Sequence, residues 1–203
     1  INMSNVYPTN SALSITDRQV LLGQNPLVIW MTGLSGAGKT TLATLLEQQL
    51  HVRGFKTVLL DGDSLRSGLN KDLGFSVADR SENIRRTAEV ARIAKDAGLV
   101  VLVSLISPTR ADRSHARSIV GPGFVEVFVD CPLEKCIQRD VKGLYAKATS
   151  GQIQEFTGIS AEYERPEYPE VTIKTQNESV TESLNRLMNF ILPLVTVSSQ
   201  QHD

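Results

Sequence analysis

Apolar positions along the chain fall into two alternating patterns. Near-continuous runs rich in Val, Ile and Leu cover residues 27–32, 100–105 and 124–129. Runs of that length suit strands buried on both faces of a parallel sheet. Shorter β-prone stretches lie at 57–60 and 171–175. Between the strands the apolar spacing turns helical. Residues 40–53 run to Gly54; 79–97 carry Ile84, Ala88, Ala91 and Ala94 at helical spacing and stop at Gly98; 111–120 stop at Gly121; 133–140 follow Pro132; and 181–192 close the series. A glycine just past a helix relieves the left-handed residue that commonly ends it. Strand–helix alternation of this kind predicts an α/β fold, a three-layer sandwich. Residues 1–25 are polar and aperiodic, and are expected to form a surface-lying arm with a short helix near 16–22. Residues 26–195 form the expected domain and 196–203 a tail.

Composition narrows the function classes. A chain of 203 residues, 41% hydrophobic and 21% charged, suits one globular domain with a sizeable core. A net charge of −1 speaks against a broad nucleic-acid surface. No apolar run is long enough to span a membrane, so no membrane partner is expected. Cys131 and Cys136 form no C-x-x-C pair and have no histidine cluster beside them, which fits reduced structural thiols in a cytoplasmic protein.

The most specific local signal follows the first strand. Gly33-Leu34-Ser35-Gly36-Ala37-Gly38-Lys39-Thr40-Thr41 reads G-x-x-x-x-G-K-[ST], placed where a strand hands over to a helix. The glycines let backbone N–H groups approach phosphate oxygens, Lys39 brings a point charge to the β/γ-phosphates, and the Thr40 hydroxyl is suited to Mg²⁺. The helix that follows aims its N-terminal dipole at the same phosphates. ATP with Mg²⁺ is the expected ligand.

Other chemistry falls at strand carboxyl ends, where ligands sit in open α/β sheets. Asp61-Gly62-Asp63 follows the second strand. A carboxylate here could hold Mg²⁺ through water, accept a proton from an attacking hydroxyl, or cap the next helix. Arg66 follows within one turn. Phe75 sits in a loop and could stack on a base or anchor the loop in the core. Arg80 and Asn83 lie three apart, so on a helix they share a face, suited to an anion and a ribose unless that face is merely solvated. Residues 139–151 show little apolar periodicity and contain Arg139, Lys142 and Lys147. They read as a mobile basic lid or a basic surface loop.

These residues together resemble the adenylyl-sulfate kinase family. The matching segments include Trp30–Gly36, Leu60–Asp63, Gly68-Leu69-Asn70 with Asp72–Ser76, and Glu82–Arg86. They continue through Ile106-Ser107-Pro108, Glu126–Asp130, Arg139-Asp140 with Lys142–Tyr145, and Phe156–Ile159. The likeness implies a P-loop kinase fold with a five-stranded parallel sheet. It implies transfer of the γ-phosphoryl of MgATP to the 3′-hydroxyl of adenosine 5′-phosphosulfate (APS), giving PAPS and ADP in sulfate assimilation. It also implies a homodimer and a functional partnership with ATP sulfurylase. On that basis Phe75 and Phe156 sandwich the adenine of APS, and Arg66, Arg80 and Asn83 hold its phosphosulfate and ribose. Ile106, Ser107 and Leu144 line the pocket. Lys142 positions the 3′-hydroxyl, Asp63 is the base or metal-linked carboxylate with Asp61 beside it, and Arg139 lies on the ATP side. The family's serine at Ser107 is also described as a phosphoserine intermediate. No base adjoins it in sequence, so direct in-line transfer is the preferred expectation. Ala37, Ser64, Ala146 and Thr149 depart from the usual family pattern.

Overall fold

The computed structural model describes residues 11–197. Its core is one parallel sheet in the order β2-β3-β1-β4-β5. The strands are β1 (Leu27–Thr32), β2 (Thr57–Asp61), β3 (Val100–Ser104), β4 (Phe124–Asp130) and β5 (Val171–Lys174). Register is continuous at the centre, with Ile29 paired to Leu102 on one side and to Val125 on the other. All six β1 residues are buried, as a central strand covered on both faces requires.

Alternation of side chains along β1 divides the core. Leu27, Ile29 and Met31 face α2 (Lys39–Val52) and α8 (Val180–Val195), joining Leu42, Leu46, Leu50, Leu187 and Ile191. Val28 and Trp30 face the other way, towards Ile84, Ala88 and Ala91 of α4 (Val77–Asp96) and Ala116 of α5 (Arg110–Val120). The period of two in the strand and of 3.6 in the helices therefore produces the three layers.

The expected strands and long helices are all present; β1 has the expected ends, and no end elsewhere moves by more than three residues. Ser76 caps α4 through Asp79 N–H, so that helix starts before residue 79. The short helix implied by the capping alternative at Asp61 and Asp63 is present as α3 (Gly62–Ser67), while a second short helix, α7 (Leu144–Thr149), was not anticipated. The expected lid over 139–151 thus holds the last residue of α6 (Leu133–Arg139), a turn, and α7, whose Tyr145 and Ala148 are buried.

Residues 1–10 and 198–203, parts of the expected arm and tail, lie outside the described residues. From residue 11 the arm forms α1 (Ile15–Leu22), closed by a Ser14–Asp17 capping box. It does not end as a surface segment. Gln24 is fully buried, donates to the carbonyls of Lys56 and Gly98, and accepts from the Lys56 N–H. One amide thereby ties the approach to β1 to the entries of its two neighbours on one side.

Candidate active site

The loops at the strand carboxyl ends enclose a cleft of about 1300 Å³. One side is the loop from β1 to α2. Gly33 stands where a Cβ would lie 2.5 Å from the Val129 carbonyl, so the loop can pass β4 only with glycine there. Gly33 and Leu34 are off the cleft wall; residues 35–41 line it. The Lys39 ammonium is buried and donates to the Gly33 and Leu34 carbonyls at 2.9 and 2.8 Å. Burial is the main cause that lowers its pKa, from 10.5 to about 8.

Thr40 Oγ1 donates to Asp61 Oδ1 at 2.9 Å and lies 3.1 Å from Ser104 Oγ. Asp61 also caps α3 by accepting from the Asp63 N–H. One aspartate caps while the other is presented to the cleft, where Asp63 accepts from the Lys142 ammonium. Hydroxyl and carboxylate oxygens are the donor set Mg²⁺ prefers, and Thr40, Asp61 and Asp63 meet here. The described residues hold no group of three acidic, His or Cys ligands. A cation here would therefore draw further ligands from water and phosphate.

Arg139 extends from α6 to the Gly36, Ala37 and Thr175 carbonyls and joins the loop to the exit of β5. Sequence reasoning missed this third side: Thr175 and residues 178–180 and 183 line the cleft. Their segment carries no charged motif, so its one signal was its place after a strand. Lys147 is exposed and off the wall, so two of the three basic residues expected of the lid reach the cleft.

The opposite end is built from α3, α4, the turn after β3 and residues 152–157. Phe75 is 60% exposed, which rules out the core-anchor alternative, and the Arg66 guanidinium lies 4.4 Å from its ring centre. Arg80 donates to the Phe75 and Glu155 carbonyls and to Thr157 Oγ1. It belongs to a wall, not to a solvated face. Asn83 is buried, and its Oδ1 accepts from Asn70 Nδ2, so its own amide N–H₂ is left for other acceptors. Phe156 is buried edge-on against Tyr145. Ile106, Ser107 and Leu144 complete the lining.

Ser107 has φ +41, a left-handed backbone that costs a non-glycine residue energy. Its hydroxyl is buried and accepts from Trp30 Nε1 at 3.1 Å. Its carbonyl accepts from Arg113 at 2.7 Å, and Arg113 also bonds Glu126 and the Glu164 carbonyl. The strain is held by a buried ion pair.

The arrangement joins a phosphate-binding loop to an aromatic, arginine-rich pocket across one carboxylate and one lysine. The family model for adenylylsulphate kinase matches residues 25–174. An adenylyl-sulfate kinase of Bacteroides thetaiotaomicron is 50% identical over 95% of this chain and 96% of its own length. One from Clostridium acetobutylicum is 46% identical over 93% and 94%. The structure of the Mycobacterium tuberculosis APS kinase CysC, in complex with AMPPNP and APS, superposes with a TM-score of 0.80 at 45% identity. That superposition covers 83% of this chain and 98% of the other. With that family model over most of its length and relatives about half identical across it, this chain belongs to the adenylylsulphate kinase family.

Proposed function

We propose that this chain transfers the γ-phosphoryl group of ATP to the 3′-hydroxyl of APS, forming PAPS and ADP. The observation that carries the reading is the single cleft. It joins a P-loop to a pocket with Phe75 and Phe156 on its walls, in a chain of this family. A sugar-acid acceptor would give those aromatic rings nothing to stack on.

Backbone N–H groups of residues 35–40, with Lys39, hold the β- and γ-phosphates, and Arg139 lies on the nucleotide side. Arg66, Arg80 and Asn83 hold the phosphosulfate and ribose of APS, while Phe75 and Phe156 flank its adenine. Ile106, Ser107 and Leu144 shape that pocket. Phosphoryl transfer asks the protein mainly for alignment and charge neutralisation. Asp63 accepts the proton of the 3′-hydroxyl as the new P–O bond forms and the bond to the ADP oxygen breaks. Lys142, already paired to Asp63, orients that carboxylate and neutralises the transferring group. Thr40, with Asp61 and Asp63, would hold Mg²⁺, which would supply positive charge against the charge on the phosphates. The Trp30 bond to the Ser107 hydroxyl favours direct transfer over a phosphoserine.

Mixing the chain with MgATP and APS and resolving products by anion exchange tests the reading. The parent should form PAPS, and Lys39→Ala should lower kcat/KM by at least about 100-fold, the scale for losing a charge that acts in the transition state. Binding of ATP without turnover of APS would overturn it. Label trapped on Ser107 with ATP alone, at a competent rate, would overturn direct transfer. We place the enzyme in the cytoplasm, supported by its two free buried thiols. It works as a homodimer, as the family likeness implies, and light scattering in solution tests that. An ATP sulfurylase is its expected source of APS.

A further inference from the structure

We propose that Tyr145 is a positioning residue that serves both ends of the cleft. Its hydroxyl fixes one peptide of the phosphate loop, and its ring braces the aromatic wall of the acceptor pocket. That role rests on the assignment of the P-loop end to ATP and of the Phe156 end to APS.

Tyr145 lies in the first turn of α7 and is 2% exposed. Its hydroxyl donates to the Ser35 carbonyl at 2.9 Å. Its ring meets Phe156 edge-on, with centres 5.1 Å apart at 81°. Asp140 accepts from its backbone N–H and so fixes the start of the helix that carries it.

In a planar trans peptide the C=O and the following N–H point in opposite directions. Holding the Ser35 carbonyl towards Tyr145 therefore turns the Gly36 N–H away from it. Gly36 lines the cleft, and its N–H has no protein acceptor among the described residues. It is a donor left for a ligand. Gly36 has φ +75, and glycine, which adopts positive and negative φ about equally, sets little intrinsic preference against the turned peptide. No other donor to the Ser35 carbonyl occurs among the described residues. If that peptide turned over, a carbonyl oxygen would stand where the N–H had been, and a phosphate would meet an acceptor in place of a donor. The tyrosine hydroxyl is the group that opposes this rotation. The Tyr145 ring, independently, closes the back of Phe156.

Two substitutions separate the two contacts. Tyr145→Phe removes the hydroxyl and keeps the ring. It should raise KM for ATP and the Kd for ADP about fivefold, as expected for one lost hydrogen bond, while KM for APS stays within about twofold. Tyr145→Leu removes both contacts and should raise both KM values. An unchanged ADP Kd in Tyr145→Phe, or an equal shift of both KM values, would overturn the proposal. Phe156→Leu should raise KM for APS alone. If it leaves KM for APS unchanged, the assignment of the acceptor end is wrong, while the ADP titration still decides the hydroxyl's role. Titration with ADP needs no turnover, so it reads the loop even in a variant that has lost activity.

Discussion

Lys39 shows how one residue carries opposing demands. Its charge is needed for phosphate, yet burial disfavours that charge and lowers its pKa to about 8. Because the folded value lies below the unfolded one, the burial penalty is complete below pH 8 and is relieved as pH rises from about 8 to 10.5. Ligand binding runs the other way, since a phosphate favours the protonated amine. KM for MgATP should therefore be flat below pH 7.5 and about tenfold higher at pH 9. Calorimetric titration in two buffers of different ionisation enthalpy should show proton uptake on binding near pH 8. A KM for ATP that is constant through pH 9 would show that the amine does not titrate there. The motif made Lys39 legible in the sequence. Its altered pKa was not, because it depends on what surrounds the side chain.

At the scale of elements, helix α5 matters more than its position outside the cleft suggests. Through Arg113 it joins β4, the turn after β3 and the segment containing Glu164. Arg113→Met leaves Glu126 buried without its main partner and should lower unfolding stability by about 3 kcal/mol. The double variant Arg113→Met/Glu126→Met should recover much of that loss. It should not restore KM for APS, because the Ser107 carbonyl has lost its 2.7 Å bond from Arg113 and keeps only the longer one from Thr32 Oγ1 at 3.3 Å. Recovery of both by the double variant would show that Arg113 serves stability alone. Residues 139–151 teach a related lesson. Their apolar residues are too few for a periodic signal, yet Tyr145 and Ala148 become buried because the loop and Phe156 pack against them. A six-residue helix of this kind is stabilised by tertiary contacts far more than by its own propensity.

At the scale of the whole molecule, both core clusters share one sheet, so they should unfold together. Trp30 is the single tryptophan, fully buried and stacked on Phe124, so its fluorescence reports one cluster while circular dichroism reports all helices. The two melting curves should coincide. An ATP analogue at 100 times its Kd should stabilise the fold by about 2.7 kcal/mol, or roughly 5–10 °C, and Lys39→Ala should lose most of that shift at the same concentration. Separate transitions would show that the two faces of the sheet are independent. The layers and the phosphate loop were legible in the sequence. Side-chain periodicity and a contiguous motif are local properties, written within a few turns of chain. The sequence also marked Arg66, Arg80, Asn83 and Phe156 through their likeness to a family, without saying what they touch. Tertiary structure alone decided that Gln24 plugs the core, that Arg113 holds a strained Ser107, and that Lys147 faces away from the cleft while Lys142 meets Asp63. Gln24 with Gly98 and Lys142 with Asp63 lie more than 70 residues apart in the chain, and their meeting depends on how the whole sheet orders its strands.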